Sequence, residues 1–348
     1  MKHGGNRLFY EASSKRSLVD FSSNINPLGY PKELESHWIE TFPRVKEYPP
    51  ILYEEARGHV AHYLGCGAEE VVLGNGVVEL IDGLMSLDRP LVLLQPSFGE
   101  YEDRGRIRGR EIVAIDATED LTLPEDFEEK VPEHSMVLLG NPNNPTGFRI
   151  QKDRLLRLVE HLRQKDCFLI LDEAFFEFCP MDYDSILLFR EENFKNLFIL
   201  RAATKFFGLP GVRLGYGCGD EKMLAHLRQT LPPWSVNLFA LAATEVIFHD
   251  RDFIEKSRQL TASERGKMVE ELGNIPGVFV YPTASNYILL RILSWTEEHF
   301  KQLLERGILV RTCTSFAGLN TPHIRVAVKS PQDNCQLIRA LREILKGE

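Results

Sequence analysis

MVLLGNPNNPTGFRIQKDRLLRLVEHLRQKDCFLILDEAFF, residues 136–176, holds a complete strand–helix–strand unit. MVLLGNP (136–142) is an apolar strand that runs into a polar loop of asparagine, proline and glycine. KDRLLRLVEHLRQK (152–165) repeats its apolar residues with helical periodicity, and CFLILDEAFF (167–176) contains a second strand that is apolar on both faces. Strands buried on both faces and joined by a helix lie in a parallel sheet covered by helices.

The same alternation extends outward. LYEEARGHVAHYL (52–64) reads as an amphipathic helix, VVLGNG (71–76) as a strand ending in a glycine turn, and residues 77–86 as a further helix. LVLLQP (91–96), LFILRAATK (197–205) and RLGYGCG (213–219) add strands. After about residue 237 the character changes. One long helical stretch (237–272), bent near His249-Asp250, precedes strands VFVYP (278–282), NYILLRI (286–292), ILVRTC (308–313) and HIRVAV (323–328), with helices at 296–305 and from about 331. The expected architecture is α/β: a large domain with a mostly parallel sheet flanked by helices (48–245), a small α+β domain (246–348), and an N-terminal arm that joins the small domain (1–47).

The 348 residues suffice for two to three domains at about 150 residues each. Lysine plus arginine number 41 against 50 acidic residues, a net charge of −9 that argues against a general nucleic-acid or anionic-membrane surface. Any anionic ligand must be held by local donors. No apolar run reaches the ~20 residues of a membrane span, and MKHGGNRLFYEASSKR lacks the apolar core of a signal peptide. Six cysteines without CxxC spacing fit a reducing cytoplasm and argue against a disulfide scaffold or zinc site. His59 and His62 lie three apart on a helix, but no third ligand is near in sequence, so no metal is expected.

In a parallel sheet, ligands gather at the carboxyl ends of strands. There stand Gly74-Asn75-Gly76, the loop Asn141–Gly147, Asp172-Glu173, Thr204-Lys205 and Arg213. Each has a purely structural reading as a tight turn, a proline-rich loop or a helix cap. Together they suit one task. The turn at Gly76, Val77 and Val78 offers backbone N–H groups at a helix start, an anion site. Thr204 adds a hydroxyl and Arg213 a planar cation. Lys205 can form a Schiff base with an aldehyde, Asp172 can stabilise a protonated ring nitrogen, Asn144 can donate to a phenolic oxygen, and Phe98 can stack on a ring. The ligand that needs this set is pyridoxal 5'-phosphate.

GNG…EL, PSFGEY, NPNNPTG, LDEAF, TKF, GVRLGY and IRVAV occur in the order found in the fold-type I pyridoxal-phosphate enzymes of the class I/II aminotransferase group, which this chain resembles over nearly its whole length. The resemblance implies an aspartate aminotransferase-like fold, Lys205 as the covalent attachment point and Asp172 as the partner of the pyridine nitrogen. It also implies that Tyr48, in KEYPP, reaches the cofactor phosphate of the other subunit in a homodimer with shared active sites, and that Arg325 binds the substrate α-carboxylate. Four positions depart from the usual pattern: Ala202 stands where many relatives have a hydroxyl, Val77 and Val78 offer only backbone donors, and Phe175 replaces a tyrosine.

Within the group, HGGN at 3–6, DFSSNINPLGYP (20–31), PPWSVN (232–237), Phe175 and ILVRTC before IRVAVKS resemble the threonine-phosphate decarboxylases; the histidinol-phosphate aminotransferases come next. The resemblance implies decarboxylation of L-threonine O-3-phosphate to aminopropanol phosphate, the linker of cobalamin. Arg311, His3 and Asn24 are candidates for the distal phosphate, although Arg311 also reads as a surface strand residue. The same machinery serves decarboxylation and transamination, because the bond cleaved depends on how the substrate is clamped. A regulator that binds the cofactor without catalysis is the competing class; the intact lysine, aspartate and arginine set argues against it, as does the lack of any stretch reading as an appended DNA-binding domain.

Overall fold

A computed structural model describes residues 4–14, 16–319 and 322–345. The first strand, β1 (Val19–Asp20), precedes seven that form one sheet: β2 (Val71–Asn75), β3 (Leu91–Gln95), β4 (Ile112–Asp116), β5 (Met136–Gly140), β6 (Phe168–Asp172), β7 (Leu197–Ala202) and β8 (Leu214–Gly219). Their spatial order is β2-β8-β7-β6-β5-β3-β4. All neighbours from β7 to β4 are parallel, whereas β8 is antiparallel to both β7 and β2. Side-chain alternation explains the all-apolar strands. Val137, Leu139, Leu169, Leu171 and Ile199 pack into one core, while Leu138, Ile170, Phe198 and Leu200 pack into another on the opposite face.

Four later strands, β9 (Val278–Val280), β10 (Tyr287–Ile292), β12 (Arg311–Thr312) and β13 (His323–Ala327), form an antiparallel sheet in the order β12-β13-β10-β9. Between β10 and β12 lies β11 (Ile308–Leu309), which pairs in parallel with β1. A separate core joins Phe21 to Met268, Ile288, Ile308, Val326 and Leu337, so the start of the chain packs with its end.

Three details differ from the sequence reading. Strand β4 went unrecognised: it is an edge strand, partly exposed, and its IVAID run lacks the continuous apolar character of the central strands. The stretch 237–272 forms two helices, Leu238–Ile247 and Arg251–Gly273, because the Asp250 side chain accepts from Phe253 N at 2.8 Å and caps a new start. ILVRTC splits between two sheets as β11 and β12.

Candidate active site

A cavity of about 500 Å³ opens at the carboxyl ends of the central strands and reaches across to β12 and β13. Val77, Val78, Phe98, Asn144, Asp172, Thr204, Lys205, Arg213, Asn24, Arg311 and Arg325 all line it. These residues are spread over three hundred positions of sequence, and the strand ends bring them together.

Asp172 is the last residue of β6 and is 7% exposed. One carboxylate oxygen accepts from Ala174 N at 3.0 Å and the other from the Tyr101 hydroxyl at 2.8 Å. Burial pushes its acidity toward a higher pKa, and the two hydrogen bonds oppose that. Tyr101 was not anticipated. It lies one helical turn beyond Phe98, whose ring meets its own edge-on at 5.5 Å; the three-residue spacing inside PSFGEY was the available signal.

Lys205 lies beyond the end of β7, in the turn that follows. Its Nζ donates to Ser23 O at 3.0 Å. Burial, and then the nearby Arg325 guanidinium, bring its amine down to about 7. The loop that receives it is held along its length: Arg325 Nη2 donates to Ser22 O at 2.8 Å, Asn286 Nδ2 to Asn24 O at 2.9 Å and Lys329 Nζ to Ile25 O at 3.4 Å. FSSNI therefore acts as a wall of backbone acceptors, which side-chain chemistry alone could not reveal.

Gly76 precedes the helix Val77–Leu84 with φ +82°, and a Cβ there would lie 2.3 Å from Arg213 Nη2. Gly215 on β8 lets this turn approach, since its own Cβ would come within 2.4 Å of the Gly76–Val77 backbone. The helix start and the Arg213 guanidinium thus converge on one spot, an arrangement that can hold an anion.

Arg325 donates through Nη1 to Asn144 Oδ1, and its buried Nε has no partner. No carboxylate pairs with it among the described residues. Arg311 is 5% exposed, which overturns its reading as a surface residue; its Nη2 donates to Ser315 Oγ at 2.6 Å and its guanidinium lies 5.5 Å from the Phe316 ring centre. Asn24 is buried with φ +49°, and its Oδ1 has no partner. Ala202 and Phe175 line the cavity as apolar wall. Tyr48 is 83% exposed, outside the cavity, with its ring 5.0 Å from that of Trp234. His3 lies outside the described residues. His59 meets His249 ring to ring, Nδ1 to Nε2 at 3.2 Å, yet no group of three metal-holding side chains occurs among the described residues. All six cysteines are free thiols. No helix among the described residues is long and apolar enough to cross a membrane.

A parallel sheet with one reversed strand, carrying a lysine, a buried aspartate and an anion cradle at its carboxyl edge, defines a protein class, and the sequence agrees. Residues 16–341 match the profile of aminotransferase class I and II, and the chain belongs to that family. Among individual relatives, it is 38% identical to a Caldanaerobacter subterraneus subsp. tengcongensis protein provisionally named a threonine-phosphate decarboxylase, with 98% of this chain and 93% of the relative covered. It is 32% identical to the threonine-phosphate decarboxylase of Salmonella typhimurium, covering 99% and 97%. In structure it is similar to a histidinol-phosphate aminotransferase from Clostridium acetobutylicum, with TM-score 0.90, 32% identity and coverage of 95% and 100%.

Proposed function

We propose that this protein is a pyridoxal-phosphate-dependent carboxy-lyase that releases CO₂ from L-threonine O-3-phosphate and yields (R)-1-amino-2-propanol phosphate for cobalamin synthesis. The observation that carries the reading is the register of β12 on β13, where Arg311 stands directly opposite Arg325. Both are 5% exposed and both line the cavity that holds Lys205. Two like charges directly opposed in a sheet are destabilising, and an amino acid with a carboxylate and a phosphate would neutralise them. The relatives named for threonine-phosphate decarboxylation support the same choice.

The residues present fit pyridoxal 5'-phosphate. The Gly76 turn lets the Arg213 guanidinium lie against the helix start only because it lacks a Cβ, Val77, Val78, Thr204 and Arg213 line the same cavity, and the buried Asp172 carboxylate suits a cationic partner such as a protonated ring nitrogen. Lys205 would carry the covalent link, Asn144 would meet the phenolic oxygen and Phe98 the ring face. When bound, the cofactor supplies an electron sink for charge left at the substrate Cα. Lys205, with an amine near neutrality, can serve both as nucleophile and as proton carrier at Nζ. Arg325 holds the α-carboxylate, while Arg311 with Asn24 holds the distal phosphate. Clamping both ends decides which Cα bond is aligned for cleavage.

Tyr48 completes the reading from a second subunit. Ile39, Phe42, Val45, Ile51 and Leu52 surround it in sequence and are each more than half exposed. A run of exposed apolar side chains of this kind suits burial against another copy of the chain.

The test uses purified protein loaded with pyridoxal phosphate. One tube receives L-threonine O-3-phosphate and is followed for CO₂; another receives histidinol phosphate with 2-oxoglutarate and is followed for glutamate. Sustained CO₂ from the first alone is expected. Glutamate from the second without CO₂ from the first would make the protein an aminotransferase.

A further inference from the structure

Tyr287 opens β10 and is fully buried, yet it carries a hydroxyl that needs a partner. That hydroxyl donates to Asn143 O at 2.7 Å. Asn143 is itself pinned, since its Nδ2 donates to Pro96 O at 2.9 Å and to Thr146 Oγ1 at 3.0 Å. The next residue is Asn144, whose side chain accepts from Arg325.

The ring of Tyr287 touches two other walls of the site. The Arg325 guanidinium carbon lies 5.3 Å from its centre. Leu289 is the residue directly opposite Arg325 on β13, so Tyr287, two positions earlier, projects from the same face of β10 and is the diagonal neighbour. Phe175, three residues after Asp172, meets the ring edge-on at 4.9 Å. One side chain from the small sheet thus contacts the Asn144 loop, the carboxylate arginine and the segment behind Asp172.

We infer that Tyr287 is a positioning residue that sets Asn144 and Arg325 relative to one another, a role that rests on the cofactor and substrate reading given above. Its two halves do different work. The π face lies near a buried guanidinium that has no carboxylate partner among the described residues, without occupying the N–H groups a substrate carboxylate requires. The hydroxyl fixes the Asn143 carbonyl and so the start of the Asn144 side chain. Phe175 makes the second point sharper: its ring lines the cavity without a hydroxyl, so Asn144 is the side chain left to donate to the phenolic oxygen.

The halves separate by mutation. Tyr287→Phe keeps the ring and removes the hydroxyl. It is expected to bind pyridoxal phosphate with the pH midpoint of its visible band moved upward, because a hydrogen bond to the charged phenolic oxygen is weakened. Gly147 N donates to the same Asn143 carbonyl at 2.7 Å, so when that carbonyl is no longer held by Tyr287 the amide exchange at Gly147 in the cofactor-free protein should speed up, while KM for threonine phosphate stays near wild type. Tyr287→Leu removes the ring as well and should raise that KM about tenfold. If Tyr287→Phe lowers the melting temperature but leaves the spectral midpoint and the Gly147 exchange unchanged, Tyr287 is only a packed core residue and the inference is overturned. A wild-type protein that develops no visible band with pyridoxal phosphate would instead overturn the cofactor reading. The exchange measurement on cofactor-free protein still decides the hydroxyl's hold on the loop.

Discussion

Lys205 differs from an ordinary surface lysine in one physical respect: its ammonium form is penalised by burial and by a neighbouring guanidinium. The reactive form toward an aldehyde is the free amine, so the pH at which it appears sets the onset of cofactor uptake. An unperturbed lysine would lose its proton near 10.5, whereas Lys205 does so at about 7. Uptake of pyridoxal phosphate by the cofactor-free protein, followed as growth of the visible band, should therefore rise with pH through about 7 and level off roughly one unit above it. Arg325→Leu removes the second-largest cause of the shift and should move the midpoint upward. A midpoint near 10.5 in the wild type would show that Lys205 is not desolvated in solution. At the same scale, Tyr101 shows how a residue becomes functional without carrying chemistry, because its hydroxyl satisfies one oxygen of the Asp172 carboxylate.

The strand ends are tied to each other beneath the cavity. Glu173, fully buried, accepts from Asn141 Nδ2 at 3.2 Å, from Ser185 Oγ at 2.6 Å and from Arg201 Nη2 at 3.0 Å. Asn141 follows β5, Glu173 follows β6 and Arg201 lies on β7, so a single carboxylate joins the three elements that present Asn144, Asp172 and Lys205. The same Arg201 Nη2 also donates to Asp184 Oδ1 at 2.7 Å. Removing one member of a buried ion pair leaves the other uncompensated. Arg201→Met should therefore lower stability by about 3–5 kcal/mol, read as a fall in the denaturation midpoint of the cofactor-free protein. An unchanged midpoint would mean that Glu173 is neutral in the fold and that Asn141 and Ser185 alone hold it. DEAF was legible as a strand end with a carboxylate; that Asp172 faces the cavity while Glu173 meets Arg201 and Ser185 was decided by the tertiary structure.

At the scale of the whole molecule, the separation of Tyr48 from the cavity of its own chain is the informative distance. A homodimer with shared sites makes a specific prediction. Lys205→Ala and Tyr48→Ala proteins should each be impaired alone. When they are mixed under conditions that exchange subunits, one site of each heterodimer regains both residues, so activity should recover. No recovery despite demonstrated exchange would place Tyr48 at its own chain's site or at none. The long helix Arg251–Gly273 links the two halves of the fold, and Arg265 on it donates to Phe178 O at 3.1 Å and Ala284 O at 2.8 Å, fastening large-sheet and small-sheet segments together.

Periodicity and glycine placement made the central parallel strands, the helices between them and the cradle at Gly76 readable from the chain, because those features depend on local spacing and on which face of a strand is apolar. That Lys205, Asp172, Asn144 and Arg213 stand near strand ends was readable for the same reason, because there the apolar pattern breaks into polar residues. Edge strand β4 was not, since an edge needs less apolar surface. Nor were the pairing of Arg311 with Arg325, the hydroxyl of Tyr101 on Asp172, the carbonyl row from Ser22 to Ile25 or the contacts of Tyr287. These depend on sheet register and on loops meeting from distant parts of the chain, and such long-range packing leaves no local periodicity for a sequence to display.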